Sequence, residues 1–495
     1  MRRAGILLHM TSLPSPGGIG TMGKTARQFV DFLNASGVSI WQMLPVGPTG
    51  YGESPYQSTS TFAGNPLMID IPTLVREGFL DKADVVELPD SDKVDFQALM
   101  PVKRKMLEAA WNKSRDKLSE KLDAFEKEQP WLHDYCVYAA LKEKFDLRSW
   151  MTWPDEYRLR RKNALKKAEK ELADRIGYHR FLQYLFDRQW NSLKAYAHEK
   201  GILLFGDMPI YVAEDSADTW ANPQNFLFDK DRRPILVAGV PPDYFSEDGQ
   251  LWGNPIYNWR RMKKDRYAWW QERLRHVASR FDMVRIDHFI GFANYYTVPF
   301  GATNARVGEW VIGPGRDFFK VVRETCPDVN IIAEDLGAVN ARVKSLLRFC
   351  GYPGMKVMQF GFSGDDQGNI HHPKHVKENC VAYTGTHDND TTLGWFKSRE
   401  SEAETEACLK YTGAKGEKDV VEKMIACTLK LKANTAVIPM QDLLDLDTDA
   451  RMNTPGTLGG NWLWRLTKIP GKKTRDHLRA LIEESGRLPE TTDKK

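Results

Sequence analysis

No stretch of the chain approaches the length of a membrane span, and the apolar run Ile6-Leu7-Leu8 ends at once in His9. That run is too short for the apolar region of a signal peptide, even with Arg2 and Arg3 before it. Cysteine is scarce, with six residues at positions 136, 326, 350, 380, 408 and 427 and no CxxC pair. A chain this long needs no disulfide staples, so the six read as small buried hydrophobes in a reducing compartment. These absences predict a cytoplasmic protein. An excess of one charge is missing too: 70 basic and 66 acidic residues leave a net +4. Nucleic-acid binders concentrate a basic field. The densest basic run here, Arg158-Leu159-Arg160-Arg161-Lys162 continuing to Lys166-Lys167, is interleaved with Glu169 and Glu171 and reads as the solvated face of a helix. Neither nucleic acid nor membrane is expected as a partner. The chain also lacks internal repeats and low-complexity tracts.

What is present describes a globular protein with a sizeable core, at 42% hydrophobic and 27% charged residues. A length of 495 residues ordinarily suggests two or more domains, but a single (β/α)₈ barrel with insertions also absorbs it. Aromatic residues are plentiful, with 15 Trp and 17 Tyr. Many fall in Gly/Pro-rich segments: Tyr51, Tyr56, Tyr244, Trp252, Tyr257 and Trp259. Loop aromatics suit a site that stacks against flat apolar ligand faces, and pyranose rings present such faces.

Eight short apolar runs are expected as strands. They are 5–8, 39–44, 202–205, 283–286, 330–333, 356–360, 381–383 and 435–438. Helical patterns lie between many of them, at 24–36, 259–280, 316–325, 341–348 and 402–432, the last broken at Gly413 and Gly416. Alternation of this kind predicts a parallel sheet with crossover helices, and eight units predict closure into a TIM barrel. About 150 residues separate the second and third runs, far more than one crossover needs. The expected organisation is therefore a barrel start at 1–74, an inserted, mostly helical subdomain at 75–195, the remaining barrel at 196–485, and a frayed tail at 486–495. Residues 208–258 have little periodicity and are expected to form an irregular active-site loop.

Carboxylates cluster at the strand ends, in Gly206-Asp207, Asp287-His288, Glu334-Asp335 and Thr386-His387-Asp388. In a closed barrel these ends converge on one mouth. One Asp at a strand end commonly caps the next helix, but four acidic ends around one pocket repel each other and have no evident structural purpose. A divalent cation would be one occupant. Against it, Arg285 lies two residues before Asp287 and faces the same side of the strand, keeping that carboxylate ionised and competing with a metal. Glycosidic cleavage needs two carboxyl groups, one protonating the leaving oxygen and one trapping the oxocarbenium-like centre. Asp287 suits the nucleophile, and Glu334, with its longer arm among anions, suits the acid. Asp388 and His387 are placed to grip hydroxyls of the same sugar.

These strand ends resemble the four signature regions of the α-amylase clan. Gly52-Glu53-Ser54-Pro55-Tyr56-Gln57 and Arg451-Met452-Asn453-Thr454-Pro455-Gly456-Thr457 narrow the resemblance to the amylomaltases, the 4-α-glucanotransferases of glycoside hydrolase family 77. Leu8-His9-Met10-Thr11-Ser12-Leu13-Pro14, Val240-Pro241-Pro242-Asp243-Tyr244-Phe245 and Gln250-Leu251-Trp252-Gly253-Asn254-Pro255 are similar too. The resemblance implies a (β/α)₈ barrel with helical inserted subdomains and no C-terminal β-sandwich domain, for which too little chain follows the eighth run. It implies Asp287 as nucleophile, Glu334 as acid/base, Asp388 as transition-state stabiliser and Arg285 as the nucleophile's partner. Ser54, Tyr56, Asp207, Trp252, His387 and Asn453 would line sugar subsites. No metal or other cofactor is implied. Donors would be maltooligosaccharides, amylose or glycogen-derived glucans, and acceptors glucose or a maltooligosaccharide, acted on by a monomer or small homo-oligomer. Transfer over hydrolysis is implied mainly by the resemblance. The residues by themselves leave an α-amylase-like retaining hydrolase, a sugar-binding barrel and a metal-dependent barrel enzyme open.

Overall fold

The computed structural model describes residues 2–242, 247–337, 339–364 and 368–489. All eight expected runs form strands of one parallel sheet: β1 (Arg3–Leu7), β2 (Ile40–Gln42), β3 (Leu203–Pro209), β4 (Met283–Asp287), β5 (Ile331–Ala333), β6 (Gly354–Val357), β7 (Cys380–Tyr383) and β8 (Thr435–Pro439). Their order is β6-β7-β8-β1-β2-β3-β4-β5, with every pair parallel. One hydrogen bond spans the remaining seam, from Ala333 N–H to Pro353 O just before β6 (2.8 Å). The result is a (β/α)₈ barrel. Ile6, Ile40, Leu204, Ile286, Ile332, Ala436 and Val437 are buried in its strands, as parallel strands covered on both faces require.

Amphipathic crossover helices wrap the outside. Lys24–Ala35 turns Ala26, Phe29, Val30 and Leu33 inward at helical spacing, and Gly315–Thr325 does the same with Phe318, Phe319 and Val322. The 402–432 pattern is two helices, Glu402–Thr412 and Val420–Lys430, with Gly413 at φ +72 ending the first. The 259–280 pattern is also two, Trp259–Lys264 and Ala268–Arg280, separated where Arg266 and Tyr267 take left-handed backbone.

Between β2 and β3 lie the 33-residue helix Phe96–Glu128, then Leu132–Lys144, Lys162–Glu171 and the 27-residue Ala173–Glu199. Lys162–Glu171 buries only Ala164 and Ala168, a solvated helix, whereas Arg160 just before it stacks over Trp220 at 4.1 Å. The helix Ala173–Glu199 fastens the long loop after β2. Gln183 accepts from Gly64 N–H (2.7 Å) and donates to Gly64 O, and Gln189 pairs with Asp70 N–H and O in the same way. Two buried amides thus stand in for a neighbouring strand and hold the loop that carries Tyr56.

Residues 208–258, expected to be irregular, are not. They hold the helix Ala217–Ala221 and two strands, Leu236–Val240 and Gln250–Pro255. With Asn294–Pro299 and Glu309–Ile312 these form a four-stranded antiparallel sheet beside the barrel. Glycine, proline and a bulge between Val237 and Gly239 hide its alternation from sequence. Asp243, Tyr244, Phe245 and Ser246, between its first two strands, lie outside the described residues, as do residues 490–495 of the tail. Among the described residues no helix is long and apolar enough to cross a membrane. All six cysteines are free thiols; Cys136, Cys326, Cys380 and Cys408 are buried, and Cys350 and Cys427 partly so.

Candidate active site

β3 runs four residues past its apolar run, so that Asp207 is still within the sheet and paired with Arg285 of β4. Both side chains are buried, at 0% and 3% exposure. Arg285 donates Nε–H to Asp207 Oδ2 (2.9 Å), Nη2–H to Asp287 Oδ1 (2.9 Å) and Nη2–H to the Tyr56 hydroxyl (3.2 Å). One guanidinium therefore bridges two aspartates and a phenol. Burial works against its charge, but Asp207, then Tyr56 and Asp287, override this and hold Arg285 well above its usual pKa.

Asp207 and Asp287 are both raised, burial being the larger cause and Arg285 opposing it. Asp287 was expected to be held low by its arginine. The shift is upward because one cation serves two buried carboxylates while Asp388 adds repulsion. Asp207 Oδ1 has no partner among the described residues.

Glu334 follows β5, one step beyond the paired Ile286 and Ala333, so it stands opposite Asp287 across adjacent strands. Its two oxygens accept N–H groups of Leu336 (2.6 Å) and His288 (2.7 Å). His288 reaches it through left-handed backbone, φ +53, directly after Asp287. Left-handed backbone at a residue with a side chain is costly and gathers at functional sites. Burial first, and Asp287 second, push the Glu334 carboxyl up to about 8 against Arg285 and the two N–H groups. Asp335, the next carboxylate, points away: it accepts Met355 N–H (2.7 Å), and its oxygens lie where a side chain on Gly354 would begin, 2.5 Å from a Cβ there. It joins β5 to β6.

The other half of the mouth is built by β7 and the 451–462 segment. Tyr56 donates its hydroxyl hydrogen to Asp207 Oδ2 (2.8 Å) and meets His387 Nε2 at 2.8 Å, their rings stacked at 5.3 Å. Burial, outweighing Asp388, lowers the pKa of His387. Asp388 lies 3.4 Å from His387 Nε2 and accepts from Asn453 Nδ2 (2.7 Å), while Arg451 bonds the backbone oxygens of both Asp388 and Asn453. Trp252, on the side sheet, meets the His288 ring edge-to-face at 4.8 Å. Ser54 accepts Tyr56 N–H at 3.3 Å and shapes that turn.

Asp207, Arg285, Asp287, Glu334, His387, Asp388, Tyr56 and Asn453 are thus brought to one mouth, with Trp252 and Ser54 one contact away. Tyr257 and Trp259 are not: Tyr257 is 1% exposed, and both pack with Trp270 in the core between barrel and side sheet. Tyr244 lies outside the described residues. His288, Arg451 and Trp462, the last tilted against Tyr56 and His387 at 5.8 and 6.1 Å, belong to the site although sequence reasoning gave them no role. The signal for the first two was their place inside the quoted motifs. Trp462 had none. Among the described residues no group of three or more His, Cys, Asp or Glu is arranged to hold a metal ion.

A profile of the family described as 4-alpha-glucanotransferase matches residues 8–470. The chain belongs to the 4-alpha-glucanotransferase family. It is 46% identical to the 4-alpha-glucanotransferase of Streptococcus pneumoniae serotype 4, over 99% of this chain and 97% of that one. It is 43% identical to that of Thermus thermophilus, over 98% and 99%. Among solved structures it is similar to the amylomaltase from Streptococcus agalactiae in complex with acarbose, with TM-score 0.96, 38% identity and coverage of 99% and 100%. The amylomaltase from Corynebacterium glutamicum shares the fold, with TM-score 0.78 at 17% identity, over 99% of this chain and 75% of that one. Family members of this length therefore align with essentially the whole barrel, insertions included.

Proposed function

We propose that this 4-alpha-glucanotransferase family member transfers α-1,4-glucan segments between maltooligosaccharides by a retaining double displacement. The observation that carries the reading is the pairing of Asp287, in contact with Arg285, with Glu334, raised to about 8 just past the end of the neighbouring strand. In the first step Asp287 Oδ attacks the anomeric carbon while Glu334 gives its proton to the departing glycosidic oxygen, leaving a β-linked glucosyl-enzyme. Glu334, now a carboxylate, then takes the proton of an acceptor 4-hydroxyl as that oxygen displaces Asp287. Two inversions return an α-1,4 bond. Asp388, oriented by Asn453, and His387 grip hydroxyls as the ring flattens, and Trp252 offers an apolar face.

Transfer prevails over hydrolysis when the intermediate is shielded from water and an acceptor sugar arrives first. Maltooligosaccharides, amylose or glycogen-derived glucans would donate, glucose or a maltooligosaccharide would accept, and the cytoplasm is the compartment in which they meet. Incubation with maltotriose tests the reading. Glucose plus a ladder of longer maltooligosaccharides is the expected product pattern. Shorter sugars alone, with a matching rise in reducing ends, would replace the transferase by a hydrolase.

A further inference from the structure

Asp207, Arg285 and Asp287 lie within strands and Glu334 directly after one, whereas His387 and Asp388 sit on an irregular turn, 385–391, past the end of β7. A group on a loop is placed only as well as its surroundings hold it. Both ends of this turn hang on one carboxylate, Asp442, in the short helix Met440–Leu443 that follows β8. Before the turn, the Thr384 hydroxyl donates to Asp442 Oδ2. After it, Thr392 donates its N–H to Asp442 Oδ1 and its hydroxyl hydrogen to Oδ2, both at 2.7 Å. Asp442 is 2% exposed, and both threonines are fully buried. Burial raises the Asp442 pKa, against the pull of these three hydrogen bonds. A buried carboxylate among neutral donors is a costly fastener where neutral groups would serve. Within the turn, Asn389 Oδ1 accepts the N–H and the hydroxyl hydrogen of Thr386, both at 2.9 Å, and Thr386 Oγ1 accepts Asp388 N–H (3.3 Å). Gln359, just after β6, donates Nε2–H to Asp390 O (3.0 Å). The turn is thus braced internally, and its anchors decide where it stands.

We propose that Asp442 is a positioning residue: by fixing both ends of the 385–391 turn it sets where His387 and Asp388 meet the reacting sugar, which it does not itself touch. This rests on the glucan reading above. His387 and Asp388 grip the ring as it flattens, so displacing them weakens the transition state more than the bound substrate, and the cost falls on kcat.

The test uses the full chain with maltotriose, below the onset of melting. Asp442→Asn keeps the side chain's shape but turns amide hydrogens toward the donors. It is expected to lower kcat by about 100-fold with KM near the wild-type value. With an α-glucosyl donor bearing an activated leaving group, the same substitution should cost far less in an Asp388→Asn chain than in the wild-type chain. Wild-type kcat in folded Asp442→Asn, a loss confined to KM, or an undiminished penalty in the Asp388→Asn chain would overturn the positioning role while leaving transfer intact. Should Asp442→Asn fail to fold, Thr384→Val, which removes a single hydrogen bond, decides. Its kcat should fall by about 10-fold, and Thr384→Ser, which keeps the hydroxyl, should recover most of the loss. Equal kinetics in Thr384→Val and wild type would overturn the role. A wild-type enzyme that produces no ladder would instead sink the functional reading, and this role with it.

Discussion

Two buried arginines stand at opposite ends of the barrel and do different work. Arg285, at the C-terminal mouth, spends its donors on Asp207, Asp287 and the Tyr56 hydroxyl. Arg487, fully buried at the other end, spends its donors on five backbone carbonyls, those of Arg3, Leu429, Leu431, Ala433 and Asn434. The first is surrounded by formal negative charge and its pKa rises; the second meets only dipoles, and burial with nearby Arg2 lowers it to about 10. Arg487 ties the chain's end to the starts of β1 and β8, an arrangement that is complete in itself. The mouth is not complete: one cation serves an acidic cluster with an Asp207 oxygen unpaired among the described residues, raised carboxyls and left-handed backbone at His288. A barrel concentrates stability at one end and reactivity at the other, and here the same residue type serves both.

The contrast can be pressed from the strongest effect downward. Asp287→Asn should cut maltotriose turnover by about 10⁴-fold or more with the melting midpoint nearly unchanged, since the residue reacts and does not fasten. Retained turnover in steady-state assays would remove it as nucleophile. Glu334→Gln should cost about 10³-fold, and it carries a pH signature. A carboxyl raised in the folded chain from 4.5 to about 8 binds its proton more tightly there than in the unfolded chain. Its stabilising contribution is full below pH 4.5 and is lost as pH rises to 8. The variant should therefore gain in melting temperature relative to wild type across that window, and parallel curves would show that Glu334 is not raised. In the same wild-type profile, kcat/KM should fall as pH passes 8, when the acid is no longer protonated.

Asn453→Ala should lower kcat/KM by about 10-fold, the cost of leaving Asp388 unoriented; equal kinetics would place Asn453 outside the site. The smallest effect on turnover belongs to the other arginine. Arg487→Met should destabilise by about 3 kcal/mol, because several carbonyls lose a charged donor at once. Turnover per folded molecule should stay at the wild-type value, and a kinetic defect at permissive temperature would break the division between the two ends.

Where sequence and structure agree, the signal is local. Eight short apolar runs each ending in a polar turn suffice to find β1–β8, and Asp207, Asp287, Glu334 and Asp388 follow from their places at the strand ends. What stayed hidden depends on contacts. The side sheet pairs strands that glycine and proline interrupt, and nothing in the 236–255 stretch alone announces the partner Asn294–Pro299. Asp335 has the same sequence context as its neighbour Glu334 but turns to Met355 N–H, because successive side chains alternate sides along the chain. Tyr257 and Trp259 share the Gly/Pro-rich surroundings of Trp252, yet they fill the core beneath it. Trp462 reaches the site from far along the chain, from a segment with no periodicity at all.

The most direct measurement is to trap the intermediate. Glu334→Gln, given an α-glucosyl donor whose leaving group needs no acid, should accumulate the glucosyl-enzyme, and peptide mass spectrometry should find one glucosyl unit on the peptide containing Asp287. A glucosyl unit on Asp388 or Asp207, with the Asp287 peptide unmodified, would contradict the account.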